Sequence, residues 1–186
     1  ENVAIGCGAL VLNTTADSNT AVGSQALKAN TTAAGNTAVG KSSLTANTTG
    51  ASNTAVGKES LLANTTANDN TALGFRAMCK TTTGCQNAAV GTNVMRQNTT
   101  GDLNVAIGYR ALDANTTADN NTAVGADSLC ANTTGANNAA VGKSSMGSNT
   151  TGSDNTATGV ESLVSATTAA SNAAFGRQAM CKTTTG

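Results

Sequence analysis

The stretch NTAVGSQALKANTTAAG, Asn19 to Gly35, decides the fold, because the chain writes it again and again. Its opening pentad recurs with the Asn at Asn2, Asn19, Asn36, Asn53, Asn70, Asn87, Asn104, Asn121, Asn138, Asn155 and Asn172, so every interval is 17 residues with no insertion or deletion. A fixed internal period of this kind marks a repeat architecture, in which each unit buries its apolar surface only by stacking on its neighbours. The consensus reads N-T-A-V-G-x-x-[AS]-[LM]-x-x-N-T-T-[AG]-x-x. With the Asn counted as position 1, positions 1, 3, 5, 13 and 14 are Asn, Ala, Gly, Thr and Thr in all eleven copies. Position 9 is always Leu or Met, and position 4 is Val, Ile, Leu or Phe except at Thr158.

A unit of 17 residues is too short for a pair of packed helices, which needs about 33 residues or more. Thr20-Ala21-Val22 alternates as a strand does, and its β-branched residues favour one. Gly and Asn supply corners where positive φ is tolerated. The chain has no Pro, as expected where every coil interior must donate to the coils above and below. Repeated Gly, Asn and Thr-Thr lower helix propensity. The expectation is all-β: a parallel β-solenoid or β-roll of eleven coils, one per repeat, with room for two short strands in each, the second beginning near Ala26-Leu27. Asn19, Ala21, Val22, Gly23, Leu27, Asn30, Thr31 and Thr32 and their equivalents then form structural ladders, with Val22 and Leu27 pointing inward and Ala21 at the tightest contact. That tight partner is either the opposite wall of a thin coil or a neighbouring chain, and so narrow a core favours oligomerisation.

A longer period lies over the first. Residues 1–84 agree with residues 103–186 at 55 of 84 places, including GKSS at Gly40 and Gly142 and MCKTTTG at Met78 and Met180. Six repeats make 102 residues, so residues 1–186 read as one repetitive domain cut from a longer array. Ala 35, Thr 33, Asn 23 and Gly 20 fill about 60% of the chain, far from ordinary globular usage. Ten basic and ten acidic residues give no net charge, which argues against binding nucleic acid through bulk charge. The longest apolar run, Ala9 to Leu12, is far too short to span a membrane.

The pentads Asn2-Val3-Ala4-Ile5-Gly6 and Asn104-Val105-Ala106-Ile107-Gly108 resemble the signature of trimeric autotransporter adhesin heads. The full pattern N-T-A-V-G-x-x-A-L-x-x-N-T-T-G is similar to repeats of phage tail-fibre-like proteins that end in an intramolecular chaperone, over essentially the whole chain. The resemblance implies a left-handed parallel roll or solenoid, three chains about one axis, an extracellular, cell-surface or virion location, and an adhesive or spacer role toward a cell-surface receptor.

Little in the chain points to chemistry. With no His, serine and cysteine triads lack their usual base. There is no phosphate-binding glycine loop, no zinc-type cysteine cluster and no calcium-roll motif, so no cofactor and no metal is expected. Asp17, Asp69, Asp102, Asp119 and Asp154 read as solvated corner carboxylates. Cys79, Cys130 and Cys181 share position 10 three coils apart, about 14 Å along the axis and too far to bridge, which leaves Cys79–Cys85 as the one internal disulfide the spacing admits. Eight Asn-Thr-Thr triplets, from Asn13 to Asn149, are formal glycosylation sequons, although a hydrogen-bonded Asn ladder accounts for them as well.

The expected function is therefore a non-catalytic structural fibre: a rigid spacer or adhesin shaft whose partners are its own copies, as a trimer or an end-to-end stack. The alternative is an ice-binding solenoid presenting a Thr ladder. A sugar-binding or sugar-cleaving fibre domain is a third reading, disfavoured by the scarcity of aromatic platforms, since Tyr109 is the single Tyr.

Overall fold

The computed structural model describes residues 1–184. Among them, eleven three-residue strands, from β1 (Val3–Ile5) through β5 (Thr71–Leu73) and β6 (Ala88–Val90) to β11 (Ala173–Phe175), form one parallel sheet in strict sequence order. Each strand pairs with the next in register, so that Thr20 faces Thr37, Ala21 faces Ala38 and Val22 faces Val39. Like residues thus stack in columns, and the chain is a parallel β-solenoid of 17-residue coils with no helix among the described residues.

The invariant Gly at position 5 has two causes. At Gly23 φ is +136°, and a Cβ there would lie 2.5 Å from the Gly40 carbonyl oxygen of the next coil. Any side chain would therefore meet both a backbone penalty and a collision with backbone that cannot swing away.

Each coil holds one strand, not two. After Gly23 the chain makes two consecutive turns, with Ala26 N donating to Gly23 O (3.2 Å) and Asn30 N to Leu27 O (3.2 Å). Within them Gln25 and Leu27 stand at φ 62° and 49°. Left-handed residues cannot continue a strand, so the second wall is a ladder of stacked turns. It remains bonded along the axis: Leu27 N donates to Ser43 O and Ala29 N to Thr45 O, each at 3.0 Å.

The two walls touch. Ser43 Oγ reaches the Ala55 carbonyl at 2.9 Å, and Ser60 Oγ reaches Ala72 O at 2.9 Å, each linking position 8 of one coil to position 3 of the next. The tight contact at position 3 is thus the opposite wall of a thin coil. Ala21, Ala72 and Ala123 are fully buried, as are Leu27, Met78 and Leu129 from position 9. Val22 behaves otherwise. It is half-buried, and its equivalents Val90, Ile107 and Phe175 are 41%, 44% and 69% exposed. Successive strand residues face opposite ways, and the interior beside the strand is only Ala-deep, so the larger residue at position 4 takes the outer face.

Candidate functional site

The interior is lined by amide ladders. At position 1, Asn36 N donates to Asn19 Oδ1 at 2.9 Å, and Asn53 N to Asn36 Oδ1 at 2.9 Å. At position 12, Asn47 Nδ2 donates to Asn30 Oδ1 at 3.0 Å, and Asn64 Nδ2 to Asn47 Oδ1 at 2.7 Å. The two ladders meet at the position-15 carbonyl: Ala33 O accepts from Asn19 Nδ2 (2.9 Å) and from Asn30 Nδ2 (3.0 Å). One carbonyl therefore ties the end of a coil both to its beginning and to its middle. Buried amides are stable only when satisfied, and here each column satisfies its own amides wherever Asn follows Asn. The sequon residues Asn30, Asn64 and Asn115 are fully buried in this column, so folding and glycan attachment compete for the same atoms.

The ladder also reveals where it breaks. Asn64 Oδ1 and Asn149 Oδ1 are buried without a partner, and the next residues in the column are Thr81 and Ala166, which carry no amide. Thr81 Oγ1 is itself buried and unbonded.

The Thr-Thr pair divides its roles. Thr31 Oγ1 donates to Thr48 O at 3.2 Å and Thr48 Oγ1 to Thr65 O at 3.0 Å, so the position-13 hydroxyls belong to the ladder. Thr32 and the other described position-14 threonines are exposed in every coil.

The acidic corners do more than meet solvent. Asp102 Oδ1 accepts from Cys85 N at 2.6 Å, and Asp119 Oδ1 from Asp102 N at 2.8 Å. All five cysteines are free, Cys79 and Cys85 included. The chain turns through Thr81-Thr82-Thr83-Gly84 between that pair, and Cys85 Sγ sits at the corner against Asn68 N (3.3 Å) and Thr83 O (3.3 Å). Burial pushes the thiols of Cys79 and Cys130 above the ordinary range.

The outer surface falls into columns. Every Lys and Arg lies at positions 6, 7, 10 or 11, on the turn wall. In the middle coils they form ion pairs: across the 17-residue step Arg76 Nε bonds Glu59 at 2.7 Å, which holds that carboxyl below its usual range, and Asp113 takes Arg96 from the preceding coil at 3.1 Å and Arg110 from its own coil at 3.5 Å. Lys58 and Arg76 lie over the Phe75 ring. The outer face of the sheet carries no charge at positions 2 and 4; Val56, Leu73, Val90, Ile107, Val141 and Phe175 expose 36–69% of their surface along it. Among the described residues there is no pocket, and no group of three or more His, Cys, Asp or Glu is placed to hold a metal.

The fold and its columns define the class of protein: a parallel β-solenoid with a 17-residue repeat. In comparisons with known proteins, no family model, curated protein or solved structure matches the chain.

Proposed function

We propose that the chain is a structural fibre segment, a rigid non-catalytic spacer or adhesin shaft that works outside the cell or on a virion in company with its own copies. The observation that carries this reading is the continuity of the columns: backbone and Asn side-chain bonds run in register from coil to coil along the molecule. Such a lattice resists bending, and eleven coils at about 4.8 Å give a rod of about 50 Å. The similarity of the NVAIG and NTAVG pentads to adhesin heads and tail-fibre-like repeats supports the same role, as does the exposed apolar column at position 4, which monomeric proteins rarely leave uncovered.

Small-angle scattering and electron microscopy of the chain test this. The expected particle is a rod of that length, and joining a second 102-residue block should lengthen it by about 29 Å. A compact particle whose length does not grow with added repeats would overturn the proposal.

A second reading, ice binding, is favoured by one feature: the exposed rank of position-14 threonines at the coil spacing. Because the neighbouring position-13 hydroxyls are held in the ladder, one rank of Thr is free there. Thermal hysteresis of the same sample decides it.

A further inference from the structure

The chain has no net charge, yet its charges are separated on either side of the uncharged sheet face. Two and three residues beyond each strand, positions 6 and 7 carry Lys41, Lys58, Arg76, Arg110, Lys143 and Arg177, all exposed, against three acids, Glu59, Asp127 and Glu161. Just before each strand, positions 16 and 17 carry Glu1, Asp17, Asp69, Asp102, Asp119 and Asp154 and no cation. The apolar column at position 4 thus runs between a basic flank and an acidic flank down the molecule.

We infer that this face binds further copies of the same chain with all rods parallel, the basic flank of each lying beside the acidic flank of the next. This rests on the fibre reading above and adds to it the surface, the partner and the orientation. Consider two rods face to face. When they are related by rotation about the rod axis, each basic flank meets an acidic one. When one rod is turned end for end, basic meets basic and acid meets acid. The parallel arrangement is therefore attractive on both sides of the seam, and the antiparallel one is repulsive on both. The apolar column supplies affinity, because its side chains leave water whichever way the rods run. The flanks supply direction. The area suffices: a strip about 50 Å long and five residues wide, about 16 Å, is close to the roughly 800 Å² per partner of a standard specific interface.

The chain as it stands tests this, in three forms: unaltered; with Asp17→Lys, Asp69→Lys and Asp154→Lys; and with Lys41→Glu, Lys143→Glu and Arg177→Glu. These side chains bond nothing that holds a coil, apart from an exposed contact of Asp154 with Asn137. Circular dichroism and melting should show all three folded. Sedimentation at low salt should show the unaltered chain associating, and each variant alone associating at least about tenfold more weakly. Mixing the two variants in equal amounts should restore association, since a face shifted to net positive charge then meets one shifted to net negative charge.

Carbodiimide cross-linking of ¹⁵N-labelled with unlabelled chain reads the direction. Parallel rods join Lys41 to Asp69 and Lys143 to Asp154, whereas antiparallel rods set like flanks together and join Lys58 to Asp127 instead. Antiparallel links, or association indifferent to both reversals, would overturn the inference. A folded rod that stays monomeric at high concentration would also overturn it while leaving a spacer role standing, and thermal hysteresis in that sample would assign the face to ice. A particle that is not a rod would instead refute the fibre reading itself.

Discussion

Thr81 is the clearest place where one residue departs from what its column requires. Eight of the eleven coils place an Asn at position 12, and Asn64 finds in the next coil a hydroxyl too short to reach it, so both Asn64 Oδ1 and Thr81 Oγ1 are buried unbonded. A buried orphan of this kind costs about 1–3 kcal/mol. Thr81→Asn places an amide where Asn64 needs a donor and gives Asn98 Nδ2 an acceptor, as Asn47 and Asn115 do in their coils. The variant should raise the folding free energy by about 1–2 kcal/mol, and chemical denaturation reads it directly; an unaltered midpoint would mean that water already serves these atoms. Leu103 is a second misfit. It is 52% exposed with φ at 57°, a conformation Asn tolerates and Leu does not favour. Asn120 and Asn137 occupy the same position in later coils with φ at 59°. Leu103→Asn should stabilise the chain by about 1 kcal/mol and remove an exposed apolar group, so its melting temperature should rise.

Within a coil, the spacing between the walls sets the consequence of each substitution. Ala72 is fully buried, and its carbonyl accepts from Ser60 Oγ at 2.9 Å. Ala72→Leu must push the walls apart or strain the side chain, at a cost of about 1–3 kcal/mol. Its neighbour Leu73 is 36% exposed on the outer face, so Leu73→Ala should cost less than about 1 kcal/mol in the isolated chain and instead weaken self-association. Equal losses of melting temperature at the two positions would contradict this division of the strand. The pair also shows what could be read from the residues alone. The 17-residue period, the strand at Thr20-Ala21-Val22 and the Gly corner were legible, because each has a local steric cause. Alternation says that Ala21 and Val22 face opposite ways and is silent about which faces in; the usual preference for burying the larger residue gives the wrong side when the cavity is one Ala deep. The second wall was illegible for another reason. Leu and Met rarely adopt positive φ, so nothing in the residue type at position 9 announces that Leu27 stands at 49°. The Asn ladders were half legible: their repetition marked them, but their shared acceptor at Ala33 needed the closed coil.

At the scale of the whole molecule, the columns make length a free variable and phase a fixed one. Each coil bonds to the coil above and the coil below through the same positions, so any coil can serve as neighbour to any other. Deleting residues 87–103 removes one full repeat and brings coil five directly against coil seven. Ala72 then stacks on Ala106, Asn70 on Asn104 and Gly74 on Gly108, with every column continuous. What is lost is one set of nearest-neighbour contacts and local pairings such as Arg96 with Asp113. Stability in such arrays is close to a sum of unit and interface terms, so the melting temperature should fall modestly and cooperativity should persist. The rod should shorten by one strand spacing, about 4.8 Å, in small-angle scattering. Deleting residues 83–98, one residue fewer, brings Thr82 directly to Thr99 and leaves one coil of eighteen residues. Two position-13 threonines are then adjacent, and the extra residue lies where Thr Oγ1 and the Asn amides must align with those of the neighbouring coils. That variant should lose several kcal/mol, because the buried amides on both sides of the fault lose partners together. If the two deletions melt alike, the ladders tolerate a shift of phase, and the register from coil to coil is held by backbone pairing alone.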